Sequence, residues 1–153
     1  MLNDRVILVT GAGRGIGRGI AQAAVAKGAA VIVTDIIEKS AKETEMKLKE
    51  GNNNVQILAL AMDITDEEAV QKTFAKGVEK FGKIDGLVNN AGVMFDKGPL
   101  LSSDPDERAK EVDVNINGIF NCSKVFVEQV RKQNAPASVV NVASMGGVRA
   151  HVF

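Results

Sequence analysis

One octapeptide constrains this chain more than any other: Thr10-Gly11-Ala12-Gly13-Arg14-Gly15-Ile16-Gly17. Before it stands Val6-Ile7-Leu8-Val9, an apolar, β-branched run too short for a helix, which reads as a fully buried strand. After it, Gly15 to Lys27 carries Ile16, Ile20, Ala23 and Ala24 at helical spacing and meets a stop at Gly28. A strand, a tight turn and a helix therefore follow one another directly. Glycines there let the backbone approach a ligand closely, and the helix start presents free N–H groups to an anion. The spacing is G-x-x-x-G-x-G rather than the general G-x-G-x-x-G fingerprint, and such a turn also suits a purely structural role.

The rest of the chain repeats the alternation. Val31-Ile32-Val33 forms a second buried strand ending at Thr34-Asp35. Residues 38–50 form a charged helix, with Glu38–Lys42, Lys39–Glu43, Glu43–Lys47 and Glu45–Lys49 at i,i+4 and a buried stripe at Ile37, Ala41 and Leu48. Gly51 to Asn54 is a turn, and Val55 to Ala61 a third strand. A capping box at Thr65–Glu68 opens a helix with Val70, Phe74, Val78 and Phe81 inward and Gly82 as its stop. Ile84 to Asn89 is a fourth strand, and a loop over 93–103 carries Gly98-Pro99. A single long helix is expected from Pro105 to about Gln133, then a fifth strand from Ser138 to Ala143 opening onto Met145-Gly146-Gly147. Strands alternating with helices imply an α/β fold: a three-layer, doubly wound, Rossmann-like parallel sheet in a single domain, five strands present and helices on both faces.

Composition narrows the function. Nineteen Lys+Arg balance nineteen Asp+Glu, which argues against a nucleic-acid or polybasic membrane binder. The lone Cys122 excludes an intrachain disulfide framework and a Cys-rich zinc site, so no metal is expected. No apolar run reaches the roughly 18 residues a bilayer span needs, and a cytoplasmic protein is expected.

Within the first βαβ unit, Asp35 ends the second strand near the expected offset for an acidic group that binds adenosine ribose hydroxyls. A carboxylate there repels a 2′-phosphate, so the expected cofactor is NAD rather than NADP. Arg14 is a counter-signal, since a cation in the turn can reach a phosphate.

At this point the chain resembles the short-chain dehydrogenase/reductase family, of the compact type with one Rossmann domain. The resemblance rests on Thr10 to Gly17, Asp63, Asn89-Asn90-Ala91-Gly92, Val114-Asn115-Ile116-Asn117-Gly118 and Val140-Asn141-Val142-Ala143-Ser144. It implies a dinucleotide site formed by Gly11, Arg14, Gly15, Ile16, Gly17, Asp35, Asp63, Ile64, Asn90, Ala91 and Gly92. Asp63 and the Ile64 backbone would contact adenine, while Asn89 would be structural. Asn115 would bend the long helix and take part in a proton relay, and Ser144 would orient the substrate oxygen. A mid-helix Asn is disfavoured by propensity, so some compensating hydrogen bond is expected at Asn115 on physical grounds alone.

The implied reaction is reversible hydride transfer between a nicotinamide and an alcohol or ketone. In the family, a Tyr-x-x-x-Lys motif about a dozen residues after the Ser supplies the proton. The chain contains no Tyr, and His151 in a terminal loop is a poor substitute. The expectation is therefore the N-terminal, cofactor-binding portion of a longer enzyme, inactive alone and homo-oligomeric at full length. The alternative is a non-catalytic dinucleotide-binding or interaction module. Without further strands, the fifth would be an exposed edge beside open apolar surface.

Overall fold

The computed structural model describes residues 1–50, 52, 54–95 and 103–149. Five strands, β1 (Val6–Val9), β2 (Ala30–Asp35), β3 (Ile57–Ala61), β4 (Gly86–Asn89) and β5 (Ser138–Asn141), form one sheet in the order β3-β2-β1-β4-β5. Every pairing is parallel. The order reverses between β1 and β4, and at such a switch point the connections leave in opposite directions and open a crevice at the strands' carboxyl ends.

Five α-helices cover the sheet: α1 (Gly15–Ala26), α2 (Glu38–Lys49), α3 (Glu67–Phe81), α4 (Pro105–Val112) and α5 (Ile119–Gln133). Successive strand residues feed opposite cores. Leu8, Ile32 and Leu87 pack with Val70 and Phe74 of α3 and Cys122 and Phe126 of α5. Val9, Val31, Val33 and Val88 pack with Ala21 and Ala24 of α1 and Ala41 of α2. Small alanines on the second face let those helices lie close to the sheet. β5 differs, because it pairs only with β4 and all four of its residues are exposed. Among the described residues, no helix is long and apolar enough to cross a membrane.

Several local expectations need correction. Ile16 and Ala23 of α1 are exposed, and its buried positions are Gly17, Ala21 and Ala24. Ile37 is exposed as well and Leu48 is half-buried, while Ala41 is buried as expected and Thr44 is buried beside it. Of the intrahelical pairs, Glu38–Lys42 and Glu45–Lys49 form at 2.6 Å. Asp66, not Thr65, caps α3, accepting from Glu68 N and Ala69 N, because Thr65 is drawn back to Asp63. Gly82 closes α3 in the left-handed conformation as expected.

The long helix is continuous from Pro105 to Gln133, but Asp113–Gly118 winds as a π-helix between α4 and α5. The wider winding occurs at Asn115, whose side chain is tied to the loop after β4. Gly98-Pro99, His151 and the turn residues Gly51 and Asn53 lie outside the described residues.

Candidate functional site

A cleft of about 450 Å³ opens at the carboxyl ends of β1, β2, β3 and β4. Gly11, Arg14, Gly15, Ile16, Gly17, Asp35, Asp63, Ile64, Asn90, Ala91 and Gly92 all line it. Four separate segments thus meet at one cleft, each delivered by the end of a strand or the start of a helix. Ile36, Ile37, Ser40, Met62, Val93 and Val114 complete the lining. Val114 belongs to the segment Val114 to Gly118 already singled out, whereas the other five lack a motif, and the one available signal is the apolar residues directly after the carboxyl ends of β2 and β3.

The glycine turn is shaped by steric necessity. Gly11 has φ +61°, and a Cβ there would sit 2.8 Å from Ala91 Cα. A Cβ on Gly17 would lie 2.3 Å from Gly11 O and 2.5 Å from Asn90 Nδ2. Only glycine lets α1 start this close to β1 and β4. Asn90 locks the approach: its Nδ2 donates to Thr10 O at 2.9 Å and Gly11 O at 3.1 Å. Thr10 Oγ1 accepts from both Asn90 N and Ala91 N at 3.0 Å, binding the end of β1 to the loop after β4.

The first turn of α1 contains no acidic residue, and Arg14 at its N-cap makes no side-chain capping bond. By contrast, α3 and α4 are capped by Asp66 and Asp104. An uncapped helix start facing a cleft, with glycines where a Cβ would obstruct, suits a bound phosphate. At the end of β2, Asp35 Oδ2 accepts from Gly13 N and Oδ1 from Ile37 N, both at 3.0 Å. Asp63 Oδ1 accepts from Thr65 N at 2.9 Å and Thr65 Oγ1 at 2.8 Å, fixing the short connection between β3 and the Asp66 cap of α3. Asn121 Nδ2 on α5 donates to Ile64 O at 3.1 Å. These residues fit a dinucleotide, with a carboxylate for ribose hydroxyls, free N–H groups for phosphates and an apolar lining for flat rings.

Asn115 and Ser144 stand outside the cleft wall. Asn115 Oδ1 accepts from Val93 N at 2.9 Å and its Nδ2 donates to Val93 O at 2.8 Å, supplying the compensation that a mid-helix Asn needs. It lies immediately behind Gly92, whose hypothetical Cβ would be 3.2 Å from Asn115 Oδ1. Ser144 follows β5 and caps a short 3₁₀ turn, Met145–Gly147, its Oγ accepting from Gly146 N at 3.1 Å. Asn89 is buried, and its Nδ2 donates to Asn141 Oδ1 at 2.8 Å and Ser123 Oγ at 3.1 Å, joining β4 to β5 and α5 through side chains. Cys122 is fully buried, and burial pushes its thiol up to about 12, which suits packing and not nucleophilic chemistry.

Fold and cleft together define a Rossmann-type nucleotide-binding protein. The family profile described as short chain dehydrogenase matches residues 5–152, and the chain belongs to that family. It is 34% identical over 146 residues to levodione reductase of Leifsonia aquatica, covering 95% of this chain and 54% of that protein. Meso-2,3-butanediol dehydrogenase of Serratia marcescens is 32% identical over 146 residues, covering 95% of this chain and 55% of the relative. Among solved structures, NAD⁺-bound xylitol dehydrogenase superposes with a TM-score of 0.92 at 35% identity, over 98% of this chain and 56% of that one. The chain spans about half the length of the curated relatives it matches.

Proposed function

We propose that this chain is the NAD-binding portion of a short-chain oxidoreductase acting on a small-molecule alcohol or ketone. The observation that carries the proposal is the convergence of the glycine turn, Asp35, Asp63-Ile64 and Asn90-Ala91-Gly92 on one cleft at the sheet's switch point. In this assignment the diphosphate lies over Gly11, Arg14, Gly15, Ile16 and Gly17. Asp35 takes the adenosine ribose, and Asp63 with Ile64 the adenine. Asn90, Ala91 and Gly92 flank the nicotinamide half. When bound, the nicotinamide supplies a site that accepts or donates hydride.

NAD is favoured over NADP because the Asp35 carboxylate stands at the ribose end and would face a 2′-phosphate charge to charge. Arg14 is exposed and makes no side-chain cap. On the substrate side, the Ser144 hydroxyl accepts from Gly146 N and keeps its own proton to donate to a substrate oxygen. Asn115 fixes the Val93 backbone beside it in the loop that borders the cleft. The names of the relatives, a dione reductase and a diol dehydrogenase among them, support a hydroxyl-bearing or carbonyl substrate.

The 153 residues contain no Tyr, so no phenol is present to exchange a proton with the substrate oxygen. The chain by itself is expected to bind cofactor without turnover. Calorimetric titration of the purified chain with NADH and NADPH tests the proposal. Tighter binding of NADH supports it, equal affinities refute the preference, and no binding of either refutes the dinucleotide site. Turnover by the chain alone, lost in Ser144→Ala, would refute the expected inactivity.

A further inference from the structure

The carbonyl side of the glycine turn is held by residues of α1 and α2 that do not line the cleft. Thr44 of α2 is fully buried, and its Oγ1 lies 3.0 Å from Ala12 O and 3.1 Å from Gly13 O. That hydroxyl has one proton and therefore donates to one carbonyl at a time. Arg18 of α1 supplies the second donor, its Nη2 reaching Gly13 O while its Nε donates to Thr44 Oγ1 at 2.8 Å. Both carbonyls are thus drawn toward α2 by a guanidinium and the hydroxyl it polarises.

A trans peptide points its N–H opposite to its C=O. Turning Ala12 O toward Thr44 therefore turns Gly13 N–H away from it, and that N–H donates to Asp35 Oδ2. Turning Gly13 O toward Arg18 and Thr44 likewise sends Arg14 N–H away from them. Arg14 is the N-cap of the uncapped helix α1 and lines the cleft.

We propose that Arg18 and Thr44 are positioning residues for the dinucleotide's diphosphate, acting through the Gly13–Arg14 peptide. This rests on the assignment of the cleft as a dinucleotide site. The two side chains hold the carbonyls on the far side of the turn, so the N–H side is preset for an anion and needs no reorganisation on binding. Arg18 adds a fixed cation behind the same turn.

The test uses the whole chain with Thr44→Val, Arg18→Met and the conservative Thr44→Ser, titrated with NADH, ADP and adenosine. Thr44→Val and Arg18→Met are expected to lose about tenfold in affinity for NADH and ADP, the scale of one charge-assisted hydrogen bond, with adenosine unchanged in Arg18→Met, which leaves the Ala12–Thr44 bond in place. Thr44→Ser keeps the hydroxyl and should stay within about twofold of the parent. Arg18 is only half-buried, so Arg18→Met gives the diphosphate readout without disturbing the core. Unchanged NADH and ADP affinities in Arg18→Met would overturn the inference. An equal loss for all three ligands would also overturn it, by marking a general structural role. A parent chain that binds neither NADH nor ADP would instead overturn the dinucleotide assignment, and this inference with it.

Discussion

Asp35 Oδ2 accepts the Gly13 N–H at 3.0 Å, joining the end of β2 to the middle of the glycine turn. The same space is closed to any side chain at residue 13, where a Cβ would stand 2.6 Å from that oxygen. The carboxylate is therefore held in one place by the turn and by Ile37 N, and its remaining lone pairs are the ones a ligand can use.

Replacing Asp35 by Ala should cost NADH roughly tenfold or more in affinity, the scale of hydrogen bonds to a charged acceptor. NADPH should be unaffected or bind more tightly, because the repulsion of its 2′-phosphate is removed. Parallel calorimetric titrations give the ratio. A ratio that does not narrow means Asp35 does not select the cofactor.

Asn115→Ala removes both partners of the Val93 backbone at the π-helical segment. The expected loss is about 2–3 kcal/mol of unfolding free energy, for two part-buried backbone groups left unpaired. Urea denaturation measures it. Asn115→Asp keeps the acceptor for Val93 N and should fall between parent and Ala.

Asp85 predicts an acid limit. Burial works to raise its carboxyl, but Val6 N–H, Lys83 and Arg5 together outweigh it and hold the group below its ordinary value. A folded pKa below the unfolded one gives stability that is complete above about 3.9 and lost as pH falls through the folded value. Thermal melts of Asp85→Asn between about pH 2 and 6 should show a flatter acid limb than the parent. Coincident limbs would show that Asp85 contributes nothing to acid sensitivity.

Cys122 should resist alkylation in the folded chain at pH 8, since burial both shields its thiol and pushes it up to about 12. In denaturant it should react at the rate of a free thiol. Rapid labelling of the folded chain would show that α5 opens from the sheet.

The five strands were legible because each is a short apolar run bounded by turn residues, and all eleven expected cofactor residues meet at one cleft. Ile16 stands at the cleft as expected, whereas Ile37 departs from the buried stripe because its apolar side chain forms cleft wall and is exposed. Asp113 to Gly118 carries two Asn and a Gly, poor helix formers, so a disturbance at Asn115 is readable in the sequence but its π-helical winding is not. The bond partner of Asn115, Val93, lies 22 residues away and leaves no local trace. Thr44 and Arg18 were invisible for the same reason, since a buried Thr on a charged helix has no pattern. Asp66 stands next to Thr65 and can cap a helix equally well, and the pull of Asp63 on Thr65 decides between them.

The cleft also has a consequence for assembly. Its walls are tied by bonds between residues 80 positions apart, such as Asn90 N to Thr10 Oγ1. No short stretch of the chain can form the cleft, because β1, β2 and β4 must already be in register. Recognition and folding are therefore linked as one cooperative event. Any ligand held there should raise the melting temperature of the whole sheet rather than quiet one loop.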